Sequence, residues 1–195
     1  MDDPRFAIDW TSDVGQLAAL EPKLQEVAAR ASQLAAGYNE PRNAKLMGHE
    51  HPISEFEVVD HYEAMFEEGA RVFLLYRDAQ LVGDADLRGI RNGTAEFAFM
   101  VAAPAEQGKG LGTKFALMVH AFAFRRLALH HVFASIVPEN VASRRVFEKL
   151  GYIRDDGPVA REYADERDDI VMAIDRDTFE QLHAKQLREI TIAPR

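Results

Sequence analysis

The chain has 195 residues, 47% of them apolar and 28% charged, which is ample for one domain with an ordinary globular core. It has no cysteine, so disulfides, thiolate metal sites and a cysteine nucleophile are excluded. The net charge of −9 speaks against non-specific nucleic-acid binding and is compatible with a partner that carries an amine.

Met1-Asp2-Asp3-Pro4 lacks the basic region and apolar core of a secretion signal, and no apolar run approaches a membrane span. The expectation is a cytoplasmic protein with no membrane partner. Phe6 to Trp10 reads as a short first strand. Asp13 to Ala36 reads as helix, with an apolar stripe at Leu17, Leu20, Leu24, Val27 and Leu34, a cap at Ser12 or Asp13, and a stop at Gly37. Tyr38 to Pro52 is polar and irregular, and Val58 to Glu67 predicts a shorter helix. His49 and His51 lie two apart but have no third partner nearby, so they read as exposed loop residues and no metal site is assigned.

Arg71–Tyr76 and Gln80–Arg88 predict two strands joined by a tight turn at Arg77-Asp78-Ala79. A second turn over Gly89–Gly93 leads to the apolar run Ala95-Glu96-Phe97-Ala98-Phe99-Met100-Val101, the pattern of a strand covered on both faces. Pro104 ends it. Gln107-Gly108-Lys109-Gly110-Leu111-Gly112-Thr113 follows, and from Lys109 to about Ala128 the apolar residues fall at helical spacing. Three glycines thus sit where a strand's end becomes a helix's start. There, unpaired N–H groups and the helix dipole favour an anion. The spacing is neither that of the P-loop nor that of the dinucleotide fingerprint.

A strand over His131–Val137 comes next, and its connection through the preceding helix predicts a parallel pair with the strand at 95–101. Asn140 caps a following helix. Beyond Gly151, Tyr152–Asp156 and Ile170–Ile174 read as strands, with Gly157-Pro158 as a break and Asp165–Asp169 as a charged loop. Asp177–Arg188 reads as a last short helix, and the tail from Glu189 as disordered or paired with a partner chain.

Gln107-x-x-Gly110-x-Gly112 after a buried strand, with Asn140-x-x-Ser143 and Glu148-Lys149-Leu150-Gly151-Tyr152 behind it, resembles the GCN5-related N-acetyltransferase superfamily. The variant is most similar to the branch that includes the ribosomal-protein-alanine acetyltransferases. The strong part of the likeness covers about Gln80 to Ile153. It implies an α/β (α+β) fold: one domain over 1–195 with a central mixed, mostly antiparallel sheet, a splayed parallel strand pair and flanking helices. Residues 1–70 would lie over the acceptor site, 71–153 would bind acetyl-CoA, and 154–195 would add the last strands and helix.

The resemblance implies an acetyl-CoA-dependent N-acetyltransferase in which an amine of a small molecule or a peptide amino terminus attacks directly in a ternary complex. Phe99, Met100 and Val101 would meet the pantetheine, and Gln107, Gly108, Lys109, Gly110, Leu111, Gly112 and Thr113 the pyrophosphate. Asn140 would touch the pantetheine arm. Where many members carry a tyrosine acid, this chain has Phe147, which has no proton to give. Ser143 is the replacement to consider for protonating the leaving thiolate. Glu96, the only ionisable residue of its strand, is the candidate base, with Asp84 and Asp86 on the neighbouring strand behind it. Alternatives stay open: a longer acyl donor, a hydroxyl acceptor, or a coenzyme A sensor without catalysis. A homodimer is a common outcome in the superfamily.

Overall fold

The computed structural model describes residues 4–47, 51–102 and 104–195. Three antiparallel strands open the sheet: β1 (Phe6–Ser12), β2 (Gly15–Leu20) and, after three helices and a fourth, β3 (Arg71–Arg77). The helices are α1 (Leu24–Ala28), α2 (Ala31–Tyr38), α3 (Pro41–Leu46) and α4 (Glu55–Glu67). The long helix predicted over Asp13–Ala36 is therefore wrong in its first half. Leu17 and Ala19 are buried while Ala18 and Leu20 are only half-buried, a period of two. Pairing of Gly15–Leu20 with β1 on one side and β3 on the other outweighs a local spacing that also suited a helix. Gly37 does not stop a helix. It lies inside α2, where a Cβ would come within 2.5 Å of the Ala102 side chain.

β4 (Gln80–Arg91) and β5 (Thr94–Val101) complete the predicted meander. The two-residue turn between β3 and β4 puts Asp78 and Ala79 at φ of 49° and 64°, the twist such hairpins need. α5 (Leu111–Arg125) then crosses to β6 (His131–Ile136), which runs parallel to β5 as expected. α6 (Val141–Leu150) and the two-residue β7 (Ile153–Arg154) follow. The break at Gly157 is the start of a one-turn helix, α7 (Pro158–Arg161), with proline in its first turn. β8 (Ile170–Asp175), α8 (Arg176–His183), a 3-10 turn and β9 (Thr191–Pro194) end the fold. The tail is neither disordered nor waiting for another chain: β9 pairs with β1 of its own sheet.

Among the described residues nine strands lie in the order β7-β8-β6-β5-β4-β3-β2-β1-β9, with β5–β6 the one parallel pair. One face carries the main core, in which α5 packs through Phe115, Met118, Val119 and Phe122, with Phe147 and Leu150 of α6 and Phe179 of α8 beside it. The other face is covered in two separate patches. Val27, Leu34, Tyr38, Val58 and Tyr62 of α1, α2 and α4 cover β3 and its neighbours. Phe133, Ala160, Tyr163 and Val171 form a second patch over β6 and β8. Between the two patches Asp86, Arg88 and Ala98 are only half-buried, so the middle of this sheet face is less covered than its flanks, and we call this strip the cleft. No helix among the described residues is long and apolar enough to cross a membrane.

Candidate active site

The two parallel strands stay together for only three residue pairs, Thr94–His131, Ala95–Val132 and Glu96–Phe133. β5 runs on to Val101 against β4, and β6 runs on to Ile136 against β8, but no longer against each other. The sheet therefore opens from Ala98 onward. Strand geometry says which main-chain groups face the opening. Ala102 N–H donates to Val82 O at 2.8 Å, and a Cβ on Gly83 would strike the Met100 carbonyl. Even-numbered residues of this stretch thus turn their N–H and C=O to β4, and Phe99 and Val101 turn theirs to the gap. Of the three residues assigned to the pantetheine, Met100 directs its main chain the other way and offers only its side chain.

The glycine stretch sits at the mouth of the opening. Gly108 and Gly110 have φ of 77° and 79°, a region open to few other residues, and a Cβ on either would meet nothing within 4 Å. Gly110 is the N-cap of α5, and the first bond across that turn runs from Lys114 N–H to Gly110 O at 3.2 Å. The N–H groups of Leu111, Gly112 and Thr113 lead the helix and have no preceding turn to bond. Leu111 places its side chain in the core, so it can serve a ligand through its main chain only. Gly112 has a different reason to be glycine: a Cβ there would lie 2.8 Å from Phe99 Cε2. The helix start is thereby pressed against the splayed half of β5.

Gln107 turns its side chain inward. Its Nε2 donates to Val101 O at 3.0 Å and to Asn43 Oδ1 at 3.2 Å, while Oε1 accepts from Arg42 Nη1 at 3.4 Å. Asn43 of α3 is buried and donates in turn to the carbonyls of Gly37 and Ala102. α3 is thus tied to the end of β5 and to the glycine loop at once. Lys109 is half-exposed and pairs with Glu106 at 3.2 Å. A cavity of about 260 Å³ lies between α3 and the start of α6, lined by Arg42, Lys45, Leu46 and Glu139–Ala142.

Asn140 caps α6, accepting from Ser143 N–H at 3.1 Å. Ser143 is half-buried on the first turn. Phe147 is 2% exposed. Its ring packs on Phe97, Phe99 and Tyr152 with centroids 6.1, 5.8 and 4.9 Å away. Below it the fully buried His120 bonds both Ala116 O and the Tyr152 hydroxyl, and burial pushes its pKa down to about 4.

On the cleft side, directly paired residues of β4 and β5 put Asp84, Asp86, Arg88, Glu96, Ala98 and Met100 on one face. Glu96 is 6% exposed, and both its oxygens are held by Arg88, from Nε at 3.0 Å and Nη2 at 2.9 Å. Arg88 also reaches Asp165 at 3.3 Å. Asp84 Oδ2 accepts from the hydroxyls of Tyr38 and Tyr62 at 2.6 and 2.8 Å. Asp84 Oδ1 and Asp86 Oδ1 are buried and accept no hydrogen bond. Burial raises the pKa of both aspartates, that of Asp86 to about 7, where Asp84 and Glu96 add to the rise and Arg88 opposes it.

The glycine loop lies against the strand end, through Gly112 on Phe99 and Gln107 on Val101, and Asn140-x-x-Ser143 opens α6. Sequence reasoning ranked Glu96 above the aspartates and overlooked Arg88, Asn43 and the tyrosine pair on Asp84. The alternation Asp84, Asp86, Arg88 was visible, but it is also the pattern of a solvent-facing strand. His49 lies outside the described residues, and His51 is an exposed partner of Glu57 at 3.8 Å. Among the described residues no group of three or more histidines and carboxylates is placed to hold a metal.

The family description "Acetyltransferase (GNAT) domain" matches residues 23–153. The protein named "Probable N-acetyltransferase YjcK" of Bacillus subtilis (strain 168) is 36% identical over 77 residues, which are 38% of this chain and 42% of that protein. Among solved structures, Mycobacterium smegmatis RimJ in complex with CoA-disulfide superposes with a TM-score of 0.70 at 18% identity, over 96% of each chain. The aminoglycoside acetyltransferase AAC(6')-Ib in complex with coenzyme A gives 0.69 at 18% identity, over 85% of this chain and 98% of that one. At such identities these are likenesses of fold.

Proposed function

This chain belongs to the GNAT acetyltransferase family, and on that premise we propose that it is a cytoplasmic enzyme moving the acetyl group of acetyl-CoA to an amine. One observation carries the reading: the parting of β5 from β6 after Glu96 ends beside an open glycine turn at the start of α5. An extended amide-bearing arm suits the gap, and a pyrophosphate suits the N–H groups at its mouth. The structural neighbours bound to coenzyme A support it.

The pyrophosphate lies on Gly108–Thr113, with Lys109 adding charge, and Gln107 braces the loop from behind. Phe99 and Val101 give main-chain groups to the pantetheine and to the thioester oxygen, whose negative charge grows in the transition state. Asn140 completes the cradle of the arm. Ser143, half-buried on the first turn of α6, protonates the leaving thiolate. The acceptor amine comes from the cleft between the two apolar patches and attacks in a ternary complex, where proximity supplies much of the rate. A carboxylate of that cleft takes its proton.

A second reading is a coenzyme A binder without catalysis, and the burial of Phe147 at the usual acid's position favours it. One experiment separates the two. Calorimetry with acetyl-CoA is followed by incubation with a mixed amine library and mass measurement of the amines. Binding with an amine gaining an acetyl mass supports the enzyme. Binding with no product supports the second reading, and no binding overturns both.

A further inference from the structure

We infer that Asp86, rather than Glu96, is the group that receives the acceptor's ammonium and takes its proton. The inference rests on the acetyl-transfer reading. Each Glu96 oxygen already accepts from Arg88 in a two-pronged ion pair, a geometry that fixes the carboxylate on its partner. Asp86 pairs directly with Ala98, the second residue beyond the last β5–β6 contact, and shares the cleft face with it. Its Oδ1 is buried and accepts nothing, with Arg88 Nε no nearer than 3.9 Å. An acceptor left without a donor is costly, and because the Asp86 side chain keeps 14% of its surface open, a turn of the carboxylate about its terminal torsion presents an unbonded oxygen to an incoming N–H and removes that cost.

The surroundings select for charge. Asp86 faces Arg88 and Asp84 on β4, Glu96 on β5 and Asp165 in the loop after α7. Three carboxylates, Asp86, Glu96 and Asp165, surround one guanidinium, that of Arg88. Asp84 is anchored to α2 and α4 through the Tyr38 and Tyr62 hydroxyls, with His61 near it, and keeps its other oxygen unbonded. Asp84 and Asp86 sit two residues apart on one strand face, so their backbone positions lie roughly 7 Å apart along the chain. That arrangement fits an acceptor with a second positive amine, a polyamine or amino sugar, better than the single amino terminus of a peptide.

The reaction balances as follows. The ammonium gives one proton to the Asp86 carboxylate, and the freed amine forms a C–N bond to the thioester carbon. The C–S bond breaks, the proton shed by the new amide nitrogen ends on the thiolate, and Asp86 returns its own to solvent.

The test uses the full chain, acetyl-CoA, and spermidine, kanamycin and a short peptide with a free amino terminus as acceptors. The expected result is acetylation of spermidine or kanamycin well above the peptide. Asp86→Asn lowers kcat/KM about 100-fold at neutral pH, recovers part of it as pH rises, and leaves coenzyme A affinity by calorimetry unchanged. Asp86→Glu restores part of the rate. The assignment falls if Asp86→Asn keeps the full rate and pH profile while Glu96→Gln loses the acidic limb, or if the peptide is the preferred acceptor. If coenzyme A binds and no amine of any class is acetylated, the amine-transfer reading fails and this inference with it.

Discussion

Gln107 and Asn43, 64 residues apart in sequence, are joined by a hydrogen bond of 3.2 Å that ties the glycine loop to the helix on the cleft side. The same Gln107 amide donates to Val101 O, so one side chain braces the strand end, the loop and α3. The glutamine of the loop motif is therefore a structural brace in this protein. Gln107→Ala leaves the Val101 carbonyl and the Oδ1 of buried Asn43 short of a donor. It should cost about 1–2 kcal/mol of stability and weaken coenzyme A binding several-fold, as read by urea unfolding and calorimetry.

The glycines of the loop should fail in different ways. Gly110→Ala puts a Cβ into open space on a left-handed backbone, a strain of about 1 kcal/mol. Gly110→Glu fills that space, so coenzyme A binding is abolished in a protein that still folds. Gly112→Ala drives a Cβ onto the Phe99 ring, and its cost of about 1–3 kcal/mol appears in the melting temperature as well as in binding.

Ser143→Ala tests the acid. With Phe147 sealed in the core, a drop in turnover of about 100-fold with unchanged coenzyme A affinity is expected. Unchanged turnover would dismiss Ser143. Asn140→Ala removes the cap of α6, costs about 1 kcal/mol, and should reduce coenzyme A affinity too.

His120 sets an acid limit to the fold. Its pKa is near 4 in the folded chain because burial disfavours the cation, against about 6.5 when unfolded. Below 6.5 the unfolded chain binds the extra proton, so stability is lost as pH falls through that window, by about 2 kcal/mol at pH 5. Asp86 acts in the opposite sense. Its raised pKa means that the charged form costs stability progressively as pH rises from about 4 towards 7. Urea unfolding of wild type and His120→Gln at pH 7 and pH 5 isolates the histidine, since Asp86 is common to both. The two proteins should converge in stability as the pH falls.

The sequence was most readable where local pattern and tertiary demand agree. The apolar run at 95–101, the glycines after it and the cap at Asn140 each announce their element, and all lie where expected. The stretch 13–20 misled because Leu17 and Leu20 fit two periodicities, and only the presence of strands on both sides decides between them. Arg88 was illegible for a related reason. Its role depends on Glu96 lying opposite it across a β-pair and on Asp165 arriving from a loop 77 residues away. The main-chain orientation of Phe99 and Val101 follows from register, which no side chain reveals.

Mechanically, the sheet is two panels joined by a short seam. β9, β1, β2, β3, β4 and β5 make one panel and β6, β8 and β7 the other, and the seam is the three pairs from Thr94–His131 to Glu96–Phe133. Beyond the seam nothing in the backbone ladder resists the panels bending apart. An arm lodged in the opening is a cross-brace, bonding to the free edges of both. Binding there stiffens the whole sheet, so amide exchange should slow across β6 and β8 as well as at the loop that touches the ligand.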